Sequence, residues 1–165
     1  MATLTPTVNY SNRQVDVELL QSIVQPVGTY HVVISNVAKT PKIVAGIQKA
    51  LQRYTALLLT MVGNNTYAPA QGTDLIGTVL QGLIQDQGQF NHIFGLANSE
   101  ALRQMSADDV NTDVFGETSP DEVIQSVELL STDVDTATNT LRAEIQFTME
   151  SGDTLDYIIP VAVPR

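Results

Sequence analysis

The sequence predicts an α+β fold: two to three helices packed on a mainly antiparallel sheet, with a C-terminal three-stranded meander. Three observations predict it. Residues 141 to 149, "LRAEIQFTM", alternate strictly, with Leu141, Ala143, Ile145, Phe147 and Met149 on one face and Arg142, Glu144, Gln146 and Thr148 on the other. That period of two belongs to a half-buried strand. The middle of the chain instead spaces Ile43, Ile47, Leu51, Tyr54 and Leu58 by three or four, the signature of one helix face. Finally, 165 residues with 43% apolar content suffice for one core and are too few for two, so a single compact domain is expected. Within it, residues 1–39 read as an N-terminal arm with extended segments and 40–165 as the α+β body.

The elements follow in order. "RQVDVELLQSI" and "VGTYHVVISNV", rich in Val, Ile and Tyr, read as two extended segments separated by Pro26 and Gly28, although the first also fits a short helix. Thr40 as N-cap with Pro41 at the first helical position opens the first helix, and Gly63 stands where a left-handed C-cap residue would stop it. Thr73 or Asp74 caps a second helix carrying Leu75, Ile76, Val79, Leu80, Leu83 and Ile84 and ending near Gly88. "SEALRQM" offers a short third helix with Ser99 as its cap, and residues 106 to 121 read as a polar connector. "EVIQSVELL" is the first strand of the meander, and "SGD" turns the last hairpin, with Leu155, Tyr157, Ile159 and Val161 alternating on its return strand. Pro160 lacks a ladder donor, which places residues 154 to 163 at a sheet edge or makes the end of that strand irregular, and the acids Asp153 and Asp156 beside it would protect an edge.

The charge of -10 is uneven: residues 1–100 hold five acids and five bases, and residues 101–165 hold thirteen acids and three bases. An acidic face repels phosphate backbones and anionic lipid, so neither nucleic acid nor a membrane is an expected partner. It reads either as a solvated face kept for solubility or as a surface for a basic protein. No apolar run approaches the roughly 20 residues of a membrane helix.

Chemistry has little to work with. The chain has no Cys and two well-separated His, His31 and His92. His31 in an apolar strand reads as structural, and His92 has no relay partner at a useful spacing. Asp133, Asp135 and Asn139 lack the central Gly and closing Glu of an EF-hand and read as a polar hairpin loop. Gly72, Gly77 and Gly82 recur without the Gly-Lys-Ser/Thr of a phosphate loop and suit close helix packing instead. No pair of carboxylates stands out as a hydrolase couple. The expectation is therefore a binding or structural protein with no catalytic, metal or cofactor-binding residues and no cofactor.

Leu58, Leu59, Thr60, Gly63, Pro69, Gly72, Thr73, Asp74 and Leu75 together form a helix ending in leucines and Thr, a Gly, a Pro and a Gly-Thr-Asp-Leu helix start. This pattern resembles the sheath-initiator family of contractile phage tails, small baseplate wedge proteins, and also their type VI secretion baseplate relatives. The resemblance covers residues 40 to 163. A basic residue usual between the Gly and the Pro is absent, and Gln71 stands where an aromatic is usual. The family's Glu-Pro-Arg triad falls on Ser119, Pro120 and Asp121, of which the proline alone matches; Asp cannot supply the planar donor fork of Arg. The resemblance implies a virion structural protein, assembled in a host cytoplasm into the tail baseplate in ring-symmetric copies. Its implied partners are the tail sheath protein, baseplate wedge proteins and the tail tube. Sheath arms would then add to a sheet edge at Thr154, Leu155, Asp156, Tyr157, Ile158 and Ile159. Wedge partners would meet Ser119, Pro120 and Asp121, with Gly63, Pro69, Gly72, Thr73 and Asp74 shaping the loop that sets the helix angle. The alternatives are a peptide- or small-molecule-binding α+β module and, further off, a divergent hydrolase.

Overall fold

The computed structural model describes residues 16–17, 20–24, 30–34, 43–84, 86–110, 118–135 and 140–162. In chain order these form β1 (Asp16–Val17), β2 (Leu20–Val24), β3 (Tyr30–Ile34), β4 (Ile43–Val44), α1 (Ile47–Leu59), α2 (Leu75–Leu80), α3 (Gln87–Val110), β5 (Ile124–Asp135), β6 (Thr140–Met149) and β7 (Thr154–Ala162). The fold is α+β. β1 and β4 make a small antiparallel sheet, and the main sheet runs β2-β3-β7-β6-β5.

The meander forms as its alternation requires. Leu141, Ala143, Ile145, Phe147 and Met149 are buried, and β6 pairs antiparallel with β5 on one side and β7 on the other. Between β6 and β7 the chain reverses through Gly152, where the amide of Met149 donates to the Asp153 carbonyl at 2.8 Å. The helices lie over this inward face. Leu51, Tyr54 and Leu58 of α1, Leu75 and Val79 of α2, and Phe90, Phe94, Ala97, Ala101 and Met105 of α3 share one apolar cluster with the strands. At its centre the Tyr54 and Phe147 rings meet edge to face, 5.0 Å between centroids, and Phe147 meets Tyr157 the same way at 5.9 Å. Such pairs add about 0.5–1.5 kcal/mol each beyond area burial.

Four helical expectations change. The first helix begins at Ile47 rather than beside Thr40 and Pro41, because Ile43 and Val44 pair with Asp16 and Val17 and Gly46, at φ 67°, turns the chain into the helix. It ends at Leu59, so Gly63 is not its C-cap. The second helix stops at Leu80, since the chain turns at Gly82 instead of running on to Gly88. The third is 24 residues long and not a short piece near Ser99: its first turn is held by the Asp86 carboxylate, which accepts from the Gln89 amide at 2.8 Å. Ser99 lies mid-helix, its hydroxyl donating to the Gly95 carbonyl. The expected connector from 106 is helical as far as Val110, and residues 111–117 lie outside the described residues.

The sheet order corrects a further expectation. β7 is an interior strand: β6 flanks it on one side, and on the other β3 runs parallel to it, with Tyr30 opposite Tyr157 and His31 opposite Ile158. Pro160 is compatible with this place because the β3 register ends at Ile158, before the missing donor. The edge strands are β2 and β5. Extended segments before residue 40 contribute to both sheets, and β5 extends through Asp133 and Asp135, which sit in the ladder opposite Arg142 and Thr140 rather than in a loop. Asn139 lies outside the described residues.

Candidate functional site: a fastened loop and a long sheet edge

Between α1 and α2 the chain makes a loop held mainly by its own backbone. Gly63, at φ 86°, donates its amide to the Pro69 carbonyl at 2.9 Å. The Asn65 side-chain oxygen accepts from the amides of Tyr67 and Ala68, as Asx turns do. At the loop's exit the Thr73 amide donates to the Thr60 carbonyl at 2.8 Å, and the buried Thr73 hydroxyl donates to the Leu58 carbonyl at 2.8 Å. Thr73 therefore spends its hydroxyl on closing α1 more than on capping α2, and Asp74, at the N-cap position, makes no side-chain cap bond.

Gly72 carries the tightest approach in this loop. Its φ is 106°, and a Cβ there would lie 2.3 Å from the Thr60 carbonyl oxygen. Gln104 of α3, 8% exposed, holds both polar groups of this glycine: its Oε1 accepts from the Gly72 amide at 3.0 Å, and its Nε2 donates to the Gly72 carbonyl at 2.8 Å. The same Nε2 donates to Glu100, whose carboxyl is lowered to about 2, first by the Arg103 guanidinium and then by Gln104. One primary amide thus fastens the loop to the third helix. Nothing in the local sequence marks Gln104 for this, since its partner lies 32 residues away.

At the loop's tip Tyr67 is 99% exposed, with Val62 exposed nearby in sequence and Pro69 and Ala70 also open to solvent. At its base an open groove of about 280 Å³ is lined by Arg53, Ala56, Leu57, Thr60, Asn65 and Gln71.

Ser119, Pro120 and Asp121, the positions matched to the family triad, form the turn that leads into β5. The Ser119 carbonyl accepts from the Glu122 amide at 2.7 Å and the Pro120 carbonyl from the Ser151 amide at 3.1 Å, so this turn rests on the β6–β7 turn. The residue that sequence reasoning passed over is the next one. Glu122 is 7% exposed; its Oε1 accepts from the Gly46 amide at 3.0 Å and its Oε2 pairs with the Lys49 ammonium at 3.2 Å. A carboxylate from the strand entrance thereby satisfies the start of α1, which no local residue caps.

On β7, Tyr157 and Ile159 are buried and Leu155 and Ile158 half-buried, as alternation requires, while Asp156 accepts from the Gln146 amide group at 2.8 Å across the ladder. Burial pushes the Tyr157 hydroxyl up to about 12. Tyr157 and Ile158 are paired to strands on both sides, to β6 and to β3, so β7 is not the expected free edge. That property belongs to β5. Among the described residues no strand pairs with its outer side, and its register slips at Gln125 and again at Leu130, the bulged residues opposite β6. Bulges twist and interrupt edges, leaving residues 131 to 135 as the longest unbroken run.

α3 runs beside β5. Gln87 donates to the Thr132 hydroxyl at 2.8 Å and Asn98 to the Val127 carbonyl at 3.2 Å, while the Asn98 oxygen accepts from the Tyr54 hydroxyl at 2.8 Å. The spans between the contacts match, roughly 16 Å on the helix and on the strand, so the two elements run antiparallel.

Among the described residues no group of three His, Cys, Asp or Glu is placed to hold a metal ion, and no helix is long and apolar enough to cross a membrane. His92 is exposed on α3. Comparison of the chain with family models, with curated proteins and with solved structures finds no match.

Proposed function

We propose that this chain is a structural assembly protein of a contractile phage tail baseplate, which initiates the tail sheath by offering a sheet edge to an extended arm of a sheath subunit. The observation that carries the reading is the 12-residue strand β5, whose outer side has no strand partner among the described residues. Its unbroken run from residue 131 to 135 supplies backbone donors and acceptors for β-augmentation, in which main-chain bonds give affinity and alternate side chains give register. The loop supports the same reading, since Gly63, Pro69, Gly72, Thr73 and Asp74 carry the resemblance and fasten the helices beneath the sheet. In this proposal the docking strand is β5 rather than residues 154 to 159, and wedge partners meet the exposed side of the turn at Pro120.

The test is sheath nucleation on isolated baseplates carrying variant protein. Leu130 is 47% exposed, so Leu130→Lys should leave the melting temperature unchanged while placing a charge on the edge, and sheath recruitment should fall at least tenfold. Full recruitment by this variant would move the docking edge elsewhere. Failure of the wild-type chain to bind any sheath subunit would end the reading altogether.

A further inference from the structure

Tyr67 stands fully exposed at the tip of a loop that is not loose. The Asn65 oxygen accepts from the amides of Tyr67 and Ala68, the Gly63 amide closes the loop on Pro69, and Gln104 anchors its exit. An aromatic side chain presented on an ordered backbone loses little entropy when it is buried by a partner, and Tyr is among the residues that dominate interface cores. The surrounding chain has the matching composition. Residues 54 to 73 contain no charged residue, and up to residue 99 only Asp74 and Asp86 interrupt. Among the described residues, five of the six large exposed apolar residues, Val62, Tyr67, Leu80, Leu83 and Leu96, fall in this stretch of the sequence.

The groove at the loop's base is the complementary half. At about 280 Å³ it falls just below the size of a typical small-molecule site and fits a single aromatic side chain. Ala56 and Leu57 give it apolar wall, Arg53 brings a guanidinium suited to an aromatic face, and Asn65 and Gln71 bring side-chain amides suited to a phenol hydroxyl. Knob and groove adjoin on one chain, which is the arrangement a two-fold axis needs for each copy to fill the other. Residues 54 to 73 bring no acid to this surface, so the loop itself adds nothing to the repulsion between two chains of net charge -10, and Arg53 sets a cation in the groove.

We propose that this face is a self-docking surface, with Tyr67 of one copy seated in the groove lined by Arg53, Ala56, Leu57, Thr60, Asn65 and Gln71 of a second copy, and reciprocally. The association is independent of the sheath reading and uses a different face from β5.

The chain has no cysteine, so Thr66→Cys gives a single site for a nitroxide label beside the knob. Labelled protein is mixed at millimolar concentration with unlabelled ¹⁵N-enriched wild type, so that any broadening of ¹⁵N-bound amide signals is intermolecular. The expected result is strong broadening of the amides of residues 53 to 60 and little broadening across β5 to β7. Tyr67→Ala in both chains, or Ala56→Glu at the exposed rim of the groove, should abolish it, with the remaining amide positions unchanged to show that the fold persists. No intermolecular broadening, broadening centred on another surface, or broadening that survives both variants would each overturn the proposal.

Discussion

Replacing Gly72 by alanine should destabilise the protein by more than a positive φ alone accounts for, and Gly63→Ala provides the internal control. Both glycines are left-handed, Gly63 at 86° and Gly72 at 106°, so each alanine carries strain of about 1–2 kcal/mol. At Gly63 a Cβ meets nothing within 4 Å, and the effect ends there. At Gly72 it meets the Thr60 carbonyl oxygen at 2.3 Å, a backbone atom at the end of α1 that cannot rotate away. Relief requires the two chain segments to part. That loosens the Thr73 amide bond to the same Thr60 oxygen at 2.8 Å and the two Gln104 bonds to Gly72 at 3.0 and 2.8 Å. Losing two of these three buried bonds adds roughly 2 kcal/mol at about 1 kcal/mol each. The total is about 3–4 kcal/mol for Gly72→Ala against about 1–2 for Gly63→Ala. Urea unfolding followed by far-ultraviolet circular dichroism should place the Gly72 variant's midpoint about 1 M below that of the Gly63 variant, for an m-value of roughly 2 kcal/mol/M. Equal midpoints for the two variants would refute the close-approach argument.

Glu122→Ala leaves the Gly46 amide and the Lys49 ammonium without their acceptor and should lower stability by about 3 kcal/mol, whereas Glu122→Gln keeps an acceptor for Gly46 and should recover about half of that, read from guanidinium unfolding midpoints. Burial raises the Tyr54 hydroxyl above its ordinary range and pushes Tyr157 up to about 12. In the unfolded chain both ionise near 10.0, so their contribution is whole below that pH and is lost as pH climbs from there through the folded values. Tyr157→Phe should flatten this alkaline decline in the urea midpoint, and a decline of unchanged slope would remove Tyr157 as its source. Truncation after Gly152 removes an interior strand rather than an edge, so cooperative thermal unfolding should vanish; a truncated chain that still melts sharply would contradict the β3-β7-β6 order.

The strands of the meander were legible because their cause is local: alternation in β6 and β7 dictates which face meets the helices, and Gly152 marks the turn. The helix boundaries were less so. Thr40 and Pro41 have the grammar of a helix start, but the pairing of Ile43 and Val44 with Asp16 and Val17 overrides it from a distance. α3 hid its apolar stripe of Phe90, Phe94, Ala97, Ala101 and Met105 behind Gly88, Gly95 and Asn98, residues that lower helix propensity without preventing a helix that packs well. Of the loop, the left-handed positions were readable from Gly63 and Gly72, and their fastening by Gln104 was not. Glu122 and the place of β7 escaped for the same reason. Each depends on a partner remote in sequence, and no pattern within a strand says whether its second edge is taken.

The parallel pairing of β3 with β7 also orders events during synthesis. The β2–β3 hairpin leaves the ribosome early, but its neighbour in the sheet does not exist until everything between Ile34 and Thr154 has been made. Throughout that interval the inner side of β3 is an open template for any passing strand, and contacts of such long sequence separation form slowly even once the chain is complete. Nascent copies on one message would carry the same exposed hairpin side by side. The fold therefore places its greatest hazard of mispairing before release of the chain, at the strand that the finished protein covers last.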